Sequence, residues 1–174
     1  MKQVLPQKFF NRPTLRVARD LLGKYIVRKW RGREIALMIT EVEAYDGPLD
    51  LASHASRGRT PRTTIMFGEA GRFYIYFTYG MHWLVNIVTG EKEYPAAVLL
   101  RGGTGVKGPA RLTKFLKIDG TLNGKVAAKA TGLWLEDRGI KIPRTKIKAN
   151  KRVGVDYAGP IWSMKEYNLQ IASE

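Results

Sequence analysis

The stretch Glu34-Ile-Ala-Leu-Met-Ile-Thr-Glu-Val-Glu-Ala-Tyr45 decides how this chain folds. Its alternating positions form two sets, and both contain apolar residues over most of their length. A strand that is apolar on both faces is covered on both faces, so we expect this one to lie in the centre of a sheet. The two predicted faces are Ile35, Leu37, Ile39, Glu41, Glu43 and Tyr45 on one side, and Ala36, Met38, Thr40, Val42 and Ala44 on the other.

Shorter elements are predicted on both sides of this strand. A helix with Thr14 as its N-cap and Gly23 just after its end precedes it, and Arg31-Gly32 forms a two-residue turn into it. Glycines 102, 103, 105 and 108 lead into a second helix that begins at Pro109. Further strands are predicted at residues 24–30, 72–78, 83–88, 96–101, 132–136 and 152–157. The pattern predicts a mixed α/β fold.

Two connections stand out between these strands. Residues 46–71 hold glycines and prolines typical of a long functional loop, with a helical turn predicted at 50–54. The segment Tyr79-Gly80-Met81-His82 is predicted to be the tip of a β-hairpin.

Length and composition limit the class of protein. With 174 residues, 44% of them hydrophobic, and a mean hydropathy of −0.25, the chain fits a single domain over residues 1–174 with one core. No uninterrupted apolar stretch is long enough to span a membrane, and no secretion signal is visible, so we expect a cytoplasmic protein, nucleoid-associated if the source is prokaryotic. The absence of cysteine excludes disulfides, thiolate metal sites and a cysteine nucleophile.

The charge indicates the partner. Thirty Lys and Arg residues against 15 Asp and Glu residues give a formal charge of +15, which concentrates polyanions around the molecule. Nucleic acid is therefore the first partner to consider. A basic protein without a nucleic-acid partner, or one that binds an anionic membrane surface, would carry the same composition.

The central strand ends in a candidate catalytic site, because Glu41, Glu43 and Tyr45 follow an apolar run on one face. A carboxylate held partly out of water beside another carboxylate suits general-base catalysis near neutral pH. The ordinary structural explanation is that each glutamate is solvated or paired with an arginine. Because Asp46, Asp50 and His54 follow closely, a carboxylate-rich metal site is a further possibility.

Aromatic and basic residues alternate around the predicted hairpin. This combination holds phosphates while stacking against bases. Most of these aromatic rings are explained as core, but a large ring at an exposed hairpin tip, Tyr79, gains contacts only when a partner covers it. The set comprises Tyr74, Tyr76, Tyr79, Trp83, Arg57, Arg59, Arg62 and Arg72.

The sequence resembles the alkyladenine (3-methyladenine) DNA glycosylases of the human-type alkylpurine family across nearly the whole chain. The resemblance implies a single α/β domain with a curved, mainly antiparallel sheet, surrounding helices and a protruding β-hairpin, and it implies no metal or cofactor. It rests on Ile39-Thr-Glu-Val-Glu-Ala-Tyr45, Gly47-Pro48, Ala52-Ser-His54, Arg59-Thr-Pro-Arg62, Met66-Phe67, Tyr74-Ile-Tyr76, Tyr79-Gly80-Met81, Asn86, Val98-Leu-Leu-Arg101, Gly108-Pro109 and Arg152-Val-Gly-Val155.

This resemblance also implies roles for individual residues. Glu43 matches the general base that activates water, and Arg101 matches a residue that positions that water. Tyr79 matches a wedge that fills the gap left by a flipped nucleotide, and Met66 a neighbouring hairpin contact. The base pocket is expected at Tyr45, His54, Tyr76 and Asn86, and further DNA contacts at Met81, His82, Arg59 and Arg62.

The activity implied is hydrolysis of the N-glycosidic bond of 3-methyladenine, 7-methylguanine and other damaged purines in double-stranded DNA by a monomer, leaving an abasic site. Such enzymes extrude the target nucleotide from the duplex. The chain departs from the family at His82 and at Glu166-Tyr-Asn-Leu169, where a Pro-Trp-Arg-Phe-like run is usual.

Two other functions fit the residues alone. A metal-dependent nuclease would use Glu41, Glu43, Asp46 and Asp50 to bind magnesium and activate water. A DNA-binding module without chemistry would use the basic and aromatic residues, and its affinity would survive changes at Glu43.

Overall fold

A computed structural model describes residues 2–172, which form a mainly antiparallel sheet and four α-helices. The strands are β1 (Gln3–Val4), β2 (Tyr25–Trp30), β3 (Arg33–Asp46), β4 (Phe73–Thr78), β5 (His82–Val88), β6 (Ala96–Gly103), β7 (Val106–Lys107), β8 (Leu133–Asp137), β9 (Ile147–Asn150) and β10 (Asn168–Ile171). The α-helices are α1 (Gln7–Phe10), α2 (Thr14–Leu21), α3 (Pro109–Leu116) and α4 (Gly159–Trp162). Short 3₁₀ turns include His54–Arg57, Thr64–Phe67 and Asp156–Ala158.

The order of the main strands is β1-β8-β2-β3-β6-β5-β4, and every ladder between these strands is antiparallel. One edge of β3 pairs first with β2 and then, further along, with β10, which also pairs with β9. The central position predicted for the stretch 34–45 is confirmed, as is the mixed α/β class with a mainly antiparallel sheet.

Helices α1, α2 and α3 cover one face of the sheet and form the main core with it, whereas Trp162 of α4 packs in a separate cluster with Tyr45. The apolar face of α2 (Val17, Ala18 and Leu21) and that of α3 (Leu112 and Leu116) are fully buried there. They pack into one cluster with strand residues that include Val42, Ala44, Ile75, Val85, Ile87, Val98 and Leu100. The opposite face of β3 to β6 carries Glu43, Tyr45, Tyr76, Asn86 and Arg101, whereas Trp83 packs on the core face.

A pair of β-bulges separates the two halves of β3. The register runs from Ile39↔Gly103 to Glu41↔Gly102 and then to Val42↔Leu100. Thr40 is therefore the extra residue on β3, and Arg101 is the extra residue on β6. Bulges re-aim side chains and are common beside active sites.

The bulges change which residues of β3 face the core. Leu37 and Ile39 lie in the main core before them, whereas Val42 and Ala44 lie there after them. The prediction that Glu43 shares a face with Ile39 is therefore wrong, because strict alternation fails where one strand holds an extra residue. Gly103 permits the close strand contact, since a Cβ there would lie 2.3 Å from Leu37 Cγ.

The predicted hairpin is confirmed. Strands β4 and β5 are joined by a turn in which Tyr79 (φ 51°) and Gly80 (φ 66°) have left-handed backbone conformations, and Met81 N–H donates to the Thr78 carbonyl at 3.1 Å. His82 is the first residue of β5 rather than part of the tip. The Tyr79 side chain is 88% exposed.

Some predicted elements differ from the structure. Residues 152–157 do not form a strand: they make a turn through Gly154 (φ 71°) into the 3₁₀ turn Asp156–Ala158, because the Val153 amide donates to a side chain instead of to a ladder. The helical turn predicted at 50–54 occurs later, at His54–Arg57. Thr14 is the first helical residue and its hydroxyl accepts from Thr89, so Pro13 is the N-cap. Within residues 2–172, no helix is both long and apolar enough to cross a membrane.

Candidate active site

A cavity of about 390 Å³ lies on the sheet face opposite the main core. Its floor is formed by β3 to β6, and its sides come from the loop before β4, the start of α3 and the turn after Arg152. Residues that are scattered through the sequence converge here. Those predicted from the sequence and found in its lining are Glu43, Tyr45, His54, Met66, Tyr76, Tyr79, His82, Asn86 and Arg101.

Glu43 is the fully buried carboxylate of this cavity. Its Oε1 accepts from the Val153 amide at 2.8 Å and from Asn168 Nδ2 at 3.1 Å, and Arg101 Nε lies 3.5 Å away. Its Oε2 accepts from the Tyr45 hydroxyl at 2.9 Å. A buried charge is tolerated only with such partners. The protein therefore fixes the orientation of this carboxylate from several directions.

Glu41 has a different environment. Its Oε1 accepts from Arg101 Nε at 3.0 Å and from Asn168 Nδ2 at 2.9 Å. The structural explanation considered for this glutamate, pairing with an arginine, is correct. Arg101 therefore links the two glutamates, and it reaches them because the bulge in β6 turns its side chain toward the cavity.

Tyrosine and histidine rings form the walls. His54 and Tyr76 contact edge to face with centroids 4.7 Å apart, and His54 Nδ1 is 3.0 Å from the Tyr74 hydroxyl. Burial, with the nearby charges of Arg62 and Arg57, lowers the pKa of His54 to about 4, so its ring is neutral at pH 7. Burial also raises the pKa of Tyr76, and burial together with Glu43 raises that of Tyr45. The walls are therefore uncharged.

Asn86 lies in β5 directly opposite Tyr74 on β4. Its side chain is buried, and its Nδ2 donates to the Tyr74 carbonyl at 3.0 Å. This bond holds the amide in one orientation at the cavity wall.

The predicted DNA contacts occupy two different environments. Tyr79 and Met81 are exposed at the hairpin tip, and His82 is exposed beside them. Met66 differs from the prediction: it is 2% exposed and packs in the cavity wall with Tyr74, so it is part of the cavity and not a surface contact beside the hairpin.

The two predicted arginines are exposed near the cavity. The Arg62 guanidinium lies over the Tyr76 ring, 4.9 Å from its centroid. Arg59 lies over Phe67 and forms an ion pair with Glu93. Of these two arginines, Arg62 is the one that contacts a ring of the cavity wall.

The carboxylates proposed for a metal site do not converge. Asp50 is fully buried in a two-pronged ion pair with Arg152, and Asp46 Oδ1 accepts from the Tyr94 hydroxyl. Across residues 2–172 no group of three His, Cys, Asp or Glu side chains is placed to hold a metal ion. The residues of the nuclease hypothesis thus have other partners.

Sequence reasoning missed several residues of this site. Asn168 lies in the stretch 166–169, which departs from the family pattern, and Val153 contributes through its backbone amide. Tyr157 lines the cavity and donates to the Ala52 carbonyl at 2.8 Å, and Arg152 packs on the Tyr45 ring at 4.8 Å. The motif Arg152-Val-Gly-Val155 was the available signal, but its role depends on contacts about 100 residues away in sequence.

A buried carboxylate beside an arginine at the floor of an aromatic cavity is an arrangement typical of an enzyme active site. The formal charge of +15 favours a polyanionic substrate. The family model for methylpurine-DNA glycosylase matches residues 8–172. The chain belongs to this family of DNA repair enzymes.

Individual relatives agree. The chain is 43% identical over 176 residues to a 3-methyladenine DNA glycosylase of Methanocella arvoryzae, covering 90% of this chain and 86% of the relative. It is 42% identical to the protein of the same name from an Anaeromyxobacter species, covering 96% and 88%, and 41% identical to that from Streptomyces avermitilis, covering 90% and 84%.

Proposed function

We propose that this enzyme is a monofunctional glycosylase that removes alkylated purines, 3-methyladenine and 7-methylguanine among them, from double-stranded DNA. The observation that carries the proposal is Glu43: a fully buried carboxylate, oriented by four protein groups, at the floor of a cavity with neutral aromatic walls. Hypoxanthine and ethenoadenine are further candidate substrates. The enzyme acts as a monomer.

The cavity geometry requires the target base to leave the duplex, because the reactive carboxylate lies inside the protein. Extruding a nucleotide costs a few kcal/mol, and a side chain inserted into the gap offsets part of that cost. Tyr79, exposed at the tip of the β4–β5 hairpin, is placed to do this. Met81 and His82 lie beside it and contact the same region of the duplex.

The aromatic walls of the cavity contribute to recognition of the extruded base. Alkylation of a ring nitrogen makes a purine cationic, and an aromatic face attracts such a cation by roughly 0.5–2 kcal/mol. Tyr45, Tyr76 and His54 supply these rings. The fixed amide of Asn86 disfavours the exocyclic amino group of normal guanine, and neutral lesions need hydrogen bonding or protonation of the leaving base as well.

Hydrolysis then follows from the position of Glu43. The carboxylate takes a proton from water as the water oxygen bonds to the anomeric carbon, and the electron pair of the C–N bond leaves with the base. Arg101 helps to position the water. The products are the free purine and an abasic site. No lysine among residues 2–172 lines the cavity, which supports water rather than an amine as the nucleophile.

Replacing Glu43 with glutamine tests this proposal. Glu43→Gln keeps the shape and most acceptor contacts but cannot take a proton, so we expect the single-turnover rate of base release to fall by about 10²- to 10⁴-fold. Binding to lesion-containing DNA should remain. Base release is measured by chromatography and binding by fluorescence anisotropy, and retained turnover would show that Glu43 is not the base.

A further inference from the structure

Asn168 is a buried amide that joins two carboxylates of the active site. It is the first residue of β10, is 3% exposed, and lies directly opposite Glu43 in the ladder with β3. Its Nδ2 lies 2.9 Å from Glu41 Oε1 and 3.1 Å from Glu43 Oε1. Because both neighbours are acceptors, the amide nitrogen and not its oxygen faces them, and each of its two hydrogens has a partner.

Glu41 gathers the same donors. Its Oε1 accepts from both Asn168 Nδ2 and Arg101 Nε, and these two groups also approach Glu43 Oε1, at 3.1 and 3.5 Å. Glu41 thereby holds the arginine and the amide where they meet Glu43. Glu43 Oε1 therefore accepts two hydrogen bonds, from the Val153 amide at 2.8 Å and from Asn168 Nδ2, and it also lies beside the Arg101 guanidinium.

The other oxygen of Glu43 is treated differently. Oε2 accepts from one protein group, the Tyr45 hydroxyl at 2.9 Å. An ionised carboxylate has about four acceptor positions, two on each oxygen, so Oε2 keeps capacity to accept a further proton donor while Oε1 is saturated by the protein.

We propose that Asn168 and Glu41 are positioning residues for the general base: they saturate Oε1 of Glu43 and leave Oε2 as the oxygen that takes the proton from water. This inference rests on the proposed function of Glu43. Neither residue touches the reacting atoms, and each acts through the orientation of Glu43 and Arg101.

An uncharged donor is what this position requires. An aspartate at residue 168 would have the same shape but would accept instead of donate, placing a third carboxylate beside two others. A leucine would fill similar space and leave both glutamate oxygens short of one donor. Both changes remove one of the four groups that orient the Glu43 carboxylate, and a displacement of about 1 Å in a reacting group can cost about 10²-fold in rate.

The test compares Asn168→Leu and Asn168→Asp with the wild type and with Gln170→Leu. Gln170 is the next residue on the same face of β10, and its side chain has no hydrogen-bond partner among residues 2–172, so it is a matched control for loss of an amide. We expect both Asn168 variants to lose about 10- to 100-fold in single-turnover base release. Affinity for lesion-containing DNA should stay within about twofold of wild type in all four proteins, since no contact to DNA changes.

A pH series separates positioning from folding. Lowering the pH protonates the carboxyl introduced by Asn168→Asp, which then becomes a donor to Glu43. The deficit of this variant relative to wild type should therefore shrink as the pH falls, whereas that of Asn168→Leu should stay constant. Wild-type rates for Asn168→Leu, or deficits that are equal in both variants at every pH, would overturn the proposal.

Failure of the proposed function would look different. If wild-type protein released no base, the glycosylase assignment itself would fail. If wild type released base and Glu43→Gln did not, but the Asn168 variants matched wild type, only the positioning role would be refuted.

Discussion

Among residues 2–172, the carboxylates of Asp50 and Glu43 are both 0% exposed, but the protein fills their acceptor positions to different extents. All four acceptor positions of Asp50 are filled: Arg152 donates twice, at 2.5 and 2.9 Å, and the amides of Asp46 and Ala52 donate at 3.0 and 3.1 Å. Glu43 is equally buried, but its Oε2 has one protein donor. A saturated buried carboxylate holds the structure together, whereas an unsaturated one beside a cavity is available for chemistry.

The position of each carboxylate agrees with this difference. Asp50 lies in the loop after β3 and Arg152 lies in the turn that follows β9, so their ion pair connects these two segments. Arg152 also donates to the carbonyls of Ala44 and Trp162. The same guanidinium lies between the rings of Tyr45 and Tyr167, at 4.8 and 5.2 Å. The Asp50–Arg152 pair thus supports one wall of the cavity that contains Glu43.

The largest effect on stability is expected at Asp50. Asp50→Asn leaves the buried Arg152 charge without its partner, which should lower the free energy of unfolding by about 3–5 kcal/mol. Chemical denaturation measures this. The matched control is Asp20→Asn, which removes the partner of Arg12 at the surface and should cost about 1 kcal/mol or less. Equal losses in the two variants would contradict the structural role of the buried pair.

A substitution at the exposed hairpin tip, which is the proposed DNA contact, should not change the hydrogen bonds of Asp50 and Glu43. Tyr79→Ser removes an exposed ring, so we expect little effect on stability but a loss of about tenfold in base release from a well-paired lesion. The loss should be smaller when the same lesion is mispaired, since flipping is then easier. Single-turnover rates on the two duplexes provide the measurement, and equal losses on both would argue against a wedge.

The smallest expected effect concerns His54, whose pKa is lowered from 6.5 to about 4 by burial and by Arg62 and Arg57. Between these values the unfolded chain binds a proton that the folded protein does not. This contribution to stability is complete above pH 6.5 and is lost as the pH falls through this window toward 4. Allowing for partial exposure of the ring, the loss is about 1–2 kcal/mol.

His54→Gln has no group that titrates in that window, so it should lose less stability than wild type between pH 7.5 and pH 4.5. Chemical denaturation curves of both proteins at the two pH values measure the change in the free energy of unfolding. Identical losses would show that His54 is protonated in the folded protein as readily as in the unfolded chain.

Much of the fold could be predicted from residues near one another in sequence. Apolar residues on both faces of 34–45 indicated the central strand, and Tyr79-Gly80 indicated the hairpin tip. The bulges at Thr40 and Arg101 could not be predicted, because a bulge depends on the register with a partner strand. That register decides that Glu43 faces the cavity.

The candidate site was predictable only in part, because some of its contacts join residues that are far apart in sequence. The carboxylate, the arginine and the aromatic residues are recognisable types in recognisable motifs. Asp50 and Arg152 are 102 residues apart, and Glu43 and Asn168 are 125 apart, so no local pattern connects either pair. The stretch 166–169 departs from the family pattern in sequence, and only its pairing with β3 brings the Asn168 amide to Glu43.

The most direct test of this account is product analysis with wild-type protein, methylated duplex DNA and EDTA. The account predicts free methylpurine in solution, with strand breaks that appear only after alkali opens the abasic sites. Intact bases with bound DNA would favour a binding module. Breaks that appear without alkali, and only when magnesium replaces EDTA, would contradict the account and favour a nuclease.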